Sequence, residues 1–238
     1  MKKTLIASLM LVHLTSFADD LKIRSGPAQV ALVELFTSEG CSSCPSADAS
    51  LKQLATKEKV WSSFVPLAWH VDYWDHLGWR DRFSSADNTK RQRVYAAAWN
   101  SKNIYTPCFV LNGSEWRAGR DVPKAASAPG VLEAAAASGA MDIAFTPTAR
   151  PQQQREAWAA LLSGDVTSKA TAGENRGSEL SHSFVVLSLR HLPMSRDGST
   201  WRASVQLPES NEAKAVAIWV TAGDHMVEQA AGGWLTKP

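Results

Sequence analysis

The sequence predicts an α/β domain over residues 28–139 followed by a smaller antiparallel β-sandwich-like domain over residues 140–236. Three observations carry this: an apolar strand that runs straight into a Cys-X-X-Cys helix start, strand and helix signals that alternate up to about Gly139, and short alternating segments beyond it. Alternating strands and helices are the order of an α/β unit, whereas several short strands separated by polar turns argue for a sandwich.

At the N-terminus, Met1-Lys2-Lys3, an apolar run from Leu5 to Leu14 and Ser16-Phe17-Ala18 have the layout of an export signal, residues 1–18, cleaved after Ala18. Ser8 and His13 interrupt the run, and it falls short of the roughly 20 apolar residues of a membrane anchor. Cleavage removes Lys2 and Lys3 but no acid, so 25 basic and 23 acidic residues become 23 of each. A neutral chain without a basic stripe or like-charge block has no electrostatic footprint for nucleic acid. The expected protein is periplasmic or secreted, with no membrane contact once the signal is gone.

Val30 to Phe36 is nearly continuously apolar, as in a strand covered on both faces, and one acid, Glu34, interrupts it. Thr37 to Gly40 is a polar turn. Cys41 to Lys57 carries Ala47, Leu51 and Leu54 at helical spacing, with Pro45 tolerable in the first turn. Phe64 to Val71 is a second apolar strand that leads into the aromatic, charged loop His70 to Trp79, and Asn88 to Asn100 follows as a helix. Cys108 to Leu111 is a third strand, entered through Thr106-Pro107 and left through an Asn112-Gly113 hairpin turn. Ala125 to Ser138 is Ala-rich and expected to be helical beyond Pro129-Gly130. The strand signals of the second half are Met141 to Phe145, Val166 to Ala172, Phe184 to Leu189, Trp201 to Leu207 and Ala215 to Thr221, joined to the first half near Pro147 to Pro151. Ten Trp residues suit core and interface packing, because the side chain is bulky and amphipathic.

Chemistry concentrates at Cys41-Ser42-Ser43-Cys44-Pro45. Two sulfurs at this spacing can close a disulfide, and a Cys at a helix start has its thiolate stabilised by unpaired backbone N–H groups and the helix dipole. Cys41 is therefore the expected nucleophile, with Glu39 opposing the effect if its side chain turns inward. Three readings of the pair stand side by side: a redox centre, an inert bridge, and half of a metal site. A zinc tetrad lacks a second Cys-X-X-Cys. An odd third thiol, Cys108, is left over. His70 and Asp72, at a strand end, either ligate or tune the thiols, or fix the Trp-rich loop by hydrogen bonds. Cys with His suits copper or zinc.

Strand, Cys-X-X-Cys, helix, then Thr-Pro entering a strand and an Asn-Gly turn resembles the thioredoxin superfamily. The resemblance implies that Pro107 is the family's cis-proline, set against the Cys pair to orient a substrate peptide. It also implies that Glu34 is the buried acid that relays protons for the inner Cys, although the turn here is one residue longer. More closely, Val33 to Cys41, His70 to Asp75 and Gly173-Glu174-Asn175-Arg176-Gly177 resemble the secreted bacterial family called domain of unknown function 1223, over almost the whole exported chain. Cys108 departs from that family's pattern, which has a non-thiol residue such as Gln there. The resulting expectation is an exported thiol-disulfide oxidoreductase without a cofactor, acting on protein thiols or disulfides, in which Cys41 attacks, Cys44 resolves, Glu34 relays protons and Pro107 orients. Two alternatives remain open. One is a periplasmic copper- or zinc-binding protein using Cys41, Cys44 and His70, with Cys108 as a further candidate. The other is a non-catalytic partner-binding protein with an inert bridge.

Overall fold

A computed structural model describes residues 21–56, 59–117, 121–137, 140–149, 153–223 and 225–235. The expected export signal, residues 1–18, lies outside them. In chain order the elements are β1 (Lys22–Arg24), β2 (Ala31–Thr37), α1 (Cys44–Thr56), β3 (Phe64–His70), a 3-10 turn at Asp75–Leu77, α2 (Ala86–Ala98), β4 (Cys108–Leu111) and β5 (Ser114–Glu115). There follow β6 (Gly130–Ala137), β7 (Ala140–Pro147), β8 (Arg155–Ser163), β9 (Val166–Lys169), β10 (Glu179–His182), β11 (Val186–Pro193), β12 (Ser195–Asp197), β13 (Thr200–Val205), β14 (Ala213–Ala222) and β15 (Val227–Trp234).

These strands form sheets of order β3-β2-β4-β5, β11-β8-β14-β15 and β1-β6-β7-β13-β12, with a separate β10-β9 ribbon. Only the β2–β3 ladder is parallel among those of the named strands. The sheets are stacked. One face of the first sheet packs Ala31, Val33 and Leu35 of β2 against Ala47, Leu51 and Leu54 of α1. Its other face sends Leu32 and Phe36 into a core shared with Ala160 and Leu162 of β8 and with Ala215, Ala217 and Trp219 of β14. The alternate residues Ala159 and Leu161 of β8, and Val216, Ile218 and Val220 of β14, face a further core with Leu132, Ile143 and Phe145 of the five-stranded sheet. The β8–β14 sheet is thus buried on both faces, which is why its strands lack an alternating polar row.

This architecture corrects the expected fold class. The described residues are mostly strand, with two α-helices and several antiparallel sheets, so the chain does not form a thioredoxin-like α/β domain with a small sandwich appended. Two segments account for the misreading. Ala125 to Ser138 suggests a helix because Ala has the highest helix propensity, yet the structure holds β6 there, paired with β7 along its length and with β1 at Glu133, Ala134 and Ala135, with Leu132, Ala134 and Ala136 buried. Arg155–Ser163 carries the Ala and Leu of a helix former and gave no strand signal, but it becomes β8, the inner strand between β11 and β14. The expected division at residue 139/140 therefore runs between two paired strands, and β1, from before residue 28, pairs across to β6. No helix among the described residues is long and apolar enough to cross a membrane.

Candidate functional site

Cys41 and Cys44 are joined by a disulfide with a Cα–Cα separation of 5.4 Å. β2 delivers the chain to a tight turn, in which the Cys41 N–H donates to the Ser38 carbonyl and the Cys44 N–H to the Cys41 carbonyl. α1 begins at Cys44, so Cys41 sits one turn ahead of the helix instead of at its first residue. Both cysteines are buried, Cys41 at 1% exposure and Cys44 at 0%, while Ser42 and Ser43 between them are exposed. The Cys41 sulfur lies 3.4 Å from the Ser43 hydroxyl.

What covers the pair comes from the far end of the chain. The β9–β10 ribbon carries the Gly173 to Gly177 loop onto the Cys41 turn, where Asn175 Nδ2 donates to the carbonyls of Glu39 (2.9 Å) and Cys41 (3.0 Å), and Glu174 Oε2 accepts from the Ser42 N–H (3.0 Å). Gly173 has φ +72°, and a Cβ there would stand 2.9 Å from Trp79 Cβ, so the loop reaches its seat only with glycine. Gly40 is similarly crowded by Trp74, whose indole donates to Thr106 at 2.8 Å. Trp74 thereby ties the Cys41 turn to the Thr106–Pro107 peptide, which is cis.

Behind the turn lies a buried cluster of carboxyl and imidazole groups. His70, at the end of β3, is fully buried and its Nδ1 bonds Asp81 Oδ2 at 2.6 Å. Asp81 also accepts from the backbone N–H groups of Glu39 and Phe83. His182, at the end of β10, sets its Nδ1 3.6 Å from Asp48 Oδ2 and its Nε2 3.4 Å from Glu39 Oε1, with its ring centroid 4.7 Å from that of His70. Asp48, one turn beyond Cys44 on α1, accepts from the Thr37 hydroxyl. Glu39 is further bonded by Trp79 Nε1 and the Ser168 hydroxyl.

Electrostatics follow from this packing. Burial pushes the Glu39 carboxyl up, but the His182 imidazole, the Ser168 hydroxyl and Trp79 outweigh it and hold the group below the usual carboxylate range. Burial likewise raises Asp81, and His70 beside it wins, leaving Asp81 low. For His182, burial disfavours the cation, yet Asp48 and Glu39 together lift it to about 9.

Not all the residues named from sequence meet here. Cys41, Cys44 and His70 belong to this end of the first sheet. Glu34 does not: it shares with Leu32 and Phe36 the face of β2 opposite α1, and its buried carboxylate accepts from Trp69 Nε1 (3.0 Å), Arg91 Nε (2.8 Å) and the Tyr95 hydroxyl (2.5 Å). A proton relay from Glu34 to the Cys pair is therefore not formed. Cys108 pairs with Phe36 across β2–β4 and lies in the same core cluster, free and 2% exposed, with burial pushing its thiol up to about 11. Asp72 accepts from the Thr89 hydroxyl and acts as a strut for the loop. A separate cavity of about 860 Å³ opens between α2 and the β8–β14 sheet, lined by Arg91, Tyr95, Trp158 and Trp219.

Sequence reasoning missed Asp48, Asp81 and His182. Asp48 left a signal, being an acid on the otherwise apolar Ala47, Leu51, Leu54 face of α1. His182 left none, because it stands 134 positions from Asp48 in the sequence.

Residues 32–221 match the family described as "Protein of unknown function (DUF1223)". The chain belongs to the DUF1223 family. Among solved structures, this DUF1223 chain is similar to a protein of Agrobacterium tumefaciens determined by X-ray crystallography, with 26% identity and a TM-score of 0.64 over 89% of this chain and 96% of that one. It is also similar to HBP35 of Porphyromonas gingivalis, with 13% identity and a TM-score of 0.56 over 87% of this chain and 75% of that one, a likeness of fold alone. No curated protein matches this DUF1223 chain.

Proposed function

We propose that this chain is an exported protein, periplasmic or secreted, that exchanges thiols and disulfides with other proteins through Cys41 and Cys44. The observation that carries the reading is the disulfide itself, two residues of exposed chain apart, at the entrance to α1. In the direction open to the oxidised form, a client thiolate attacks the Cys41 sulfur, the Cys41–Cys44 bond breaks, and Cys44 leaves as a thiolate. A second client thiolate then attacks the client sulfur of the mixed disulfide and releases Cys41. The client loses two electrons and two protons, and the Cys pair gains them. Because Cys41 is 1% exposed beneath the Gly173 to Gly177 loop, attack requires that loop to lift.

Cys44→Ser, expressed in its native compartment, is expected to accumulate mixed disulfides at Cys41, and Cys41→Ser to accumulate none. Trapping by neither variant, together with a very low reduction potential for the pair, would establish an inert bridge instead. Burial of both sulfurs is the one observation that favours that second reading.

A further inference from the structure

The buried cluster behind the disulfide has the composition of a metal centre. We propose that Asp48, His70 and His182 bind a divalent first-row transition-metal ion, with zinc as the reference case. One donor atom from each of these three buried residues lies within 4.8 Å of the other two. A tetrahedral ion bonded at about 2.0–2.1 Å keeps its donors roughly 3.3 Å apart, so side-chain rotations of about an ångström close the set.

Three independent features point to a ligand here. First, His70 Nε2 is buried without a hydrogen-bond partner, and so is His182 Nδ1, which stands 3.6 Å from Asp48 Oδ2. An unpaired buried polar atom costs about 1–3 kcal/mol, and coordination would satisfy these atoms. Second, each imidazole has a carboxylate at its other nitrogen: His70 Nδ1 bonds Asp81 at 2.6 Å, and His182 Nε2 lies 3.4 Å from Glu39. A carboxylate on the outer nitrogen orients the ring and leaves the other nitrogen to face the cluster, the arrangement found around metal-ligating histidines. Third, Glu39, Asp48 and Asp81 are buried together, and among the described residues no Lys or Arg pairs with any of them. His182 is the imidazole that faces Asp48 and Glu39 in the metal-free protein, and a divalent cation would bring two positive charges to the three carboxylates while displacing the His182 proton.

The donor set contains no sulfur. Cys41 and Cys44 are bonded to one another, and Cys108 lies on the far side of β2, so the ligands differ from the thiol set that the sequence suggested. Two nitrogens and one oxygen suit zinc and its neighbours, and three protein ligands leave a position for water. The site stands independently of the redox reading, because it uses neither sulfur.

The test titrates the full, oxidised chain with Zn²⁺ and Co²⁺ after treatment with a chelator. One equivalent of each is expected to bind, and the cobalt form should show visible bands of nitrogen and oxygen ligation without thiolate charge transfer. Asp48→Asn and His182→Gln should each abolish the tight event, and Asp81→Asn should weaken it about 10–100-fold. The double variant Cys41→Ser, Cys44→Ser should retain it, whereas loss of the redox exchange in that same variant keeps the two proposals separable. Circular dichroism of each metal-free variant separates lost ligation from lost folding; should the ligand variants unfold, the wild-type cobalt spectrum decides. No uptake by the folded wild type, uptake untouched in Asp48→Asn and His182→Gln, or thiolate charge transfer in the cobalt form would each overturn the proposal.

Discussion

Asn175 donates a hydrogen bond from its side chain to the carbonyl oxygen of Cys41, 3.0 Å away, across 134 residues of sequence. The same amide nitrogen reaches the Glu39 carbonyl, so one side chain from the Gly173 to Gly177 loop clamps both ends of the turn that holds the first cysteine. Access to the disulfide is thereby coupled to the seating of a loop from the β9–β10 ribbon.

Removing the clamp should open the disulfide. Asn175→Ala removes a donor from two buried carbonyls, of which that of Cys41 keeps the Cys44 N–H, and a buried acceptor that loses its partner costs about 1–3 kcal/mol. Reduction of Cys41–Cys44 by a small dithiol is expected to be faster in the variant, measured by quenched alkylation and mass mapping. An unchanged rate would mean that the loop is not what shields the sulfurs.

Glu34 should matter for stability and not for exchange. Its carboxylate balances Arg91 in a buried pair, and breaking such a pair by removing one charge typically costs about 3–5 kcal/mol. Glu34→Gln is expected to lower the urea midpoint markedly while the exchange rate at Cys41 and Cys44 stays at the wild-type value. A slowed exchange in a variant of unaltered stability would return Glu34 to a proton-relay role.

Cys108 should resist alkylation until strongly alkaline pH. The thiolate is the reactive form, and burial lifts this thiol from 9.0 to about 11, so labelling of the native protein should stay slow at pH 8 and climb only as pH approaches the folded value. The sign for stability is the opposite. The unfolded thiol ionises first, so the contribution is fully present below about pH 9 and is lost as pH rises through the folded value. Denaturant midpoints of wild type and Cys108→Ala, compared between pH 8 and 10.5, should converge as pH rises.

The stacked sheets should melt together. Because β8 and β14 contribute alternate residues to two cores, neither half keeps a closed core alone, and far-UV circular dichroism and Trp fluorescence should report one coincident transition. Two resolved transitions would show that the chain splits near residue 140 after all.

Local signals marked much of the first half: β2 and β3 as apolar runs, α1 and α2 as helices, and the Cys41 to Pro45 motif at their junction. Their partners were far less legible. Trp219 and Trp158 are stacked with ring centroids 5.9 Å apart on adjacent strands of the central sheet, yet Arg155–Ser163 carries no strand signal, because a strand buried on both faces has no period-two pattern.

The sequence by itself determined that two cysteines stand at a strand-to-helix junction, that Thr106-Pro107 opens a strand, and that the chain belongs with the family its Val33 to Cys41 and Gly173 to Gly177 segments resemble. Tertiary structure alone decided the rest. Burial of alternate residues turned Ala-rich β6 into a strand, the face of the first sheet that holds Glu34 of β2 and Cys108 of β4 separated them from the disulfide, and the β9–β10 ribbon brought His182 to Asp48 and His70. Local propensities are worth tenths of a kcal/mol per residue, while burying a large side chain is worth about 1.5–3, so long-range packing overrides what nearby sequence suggests.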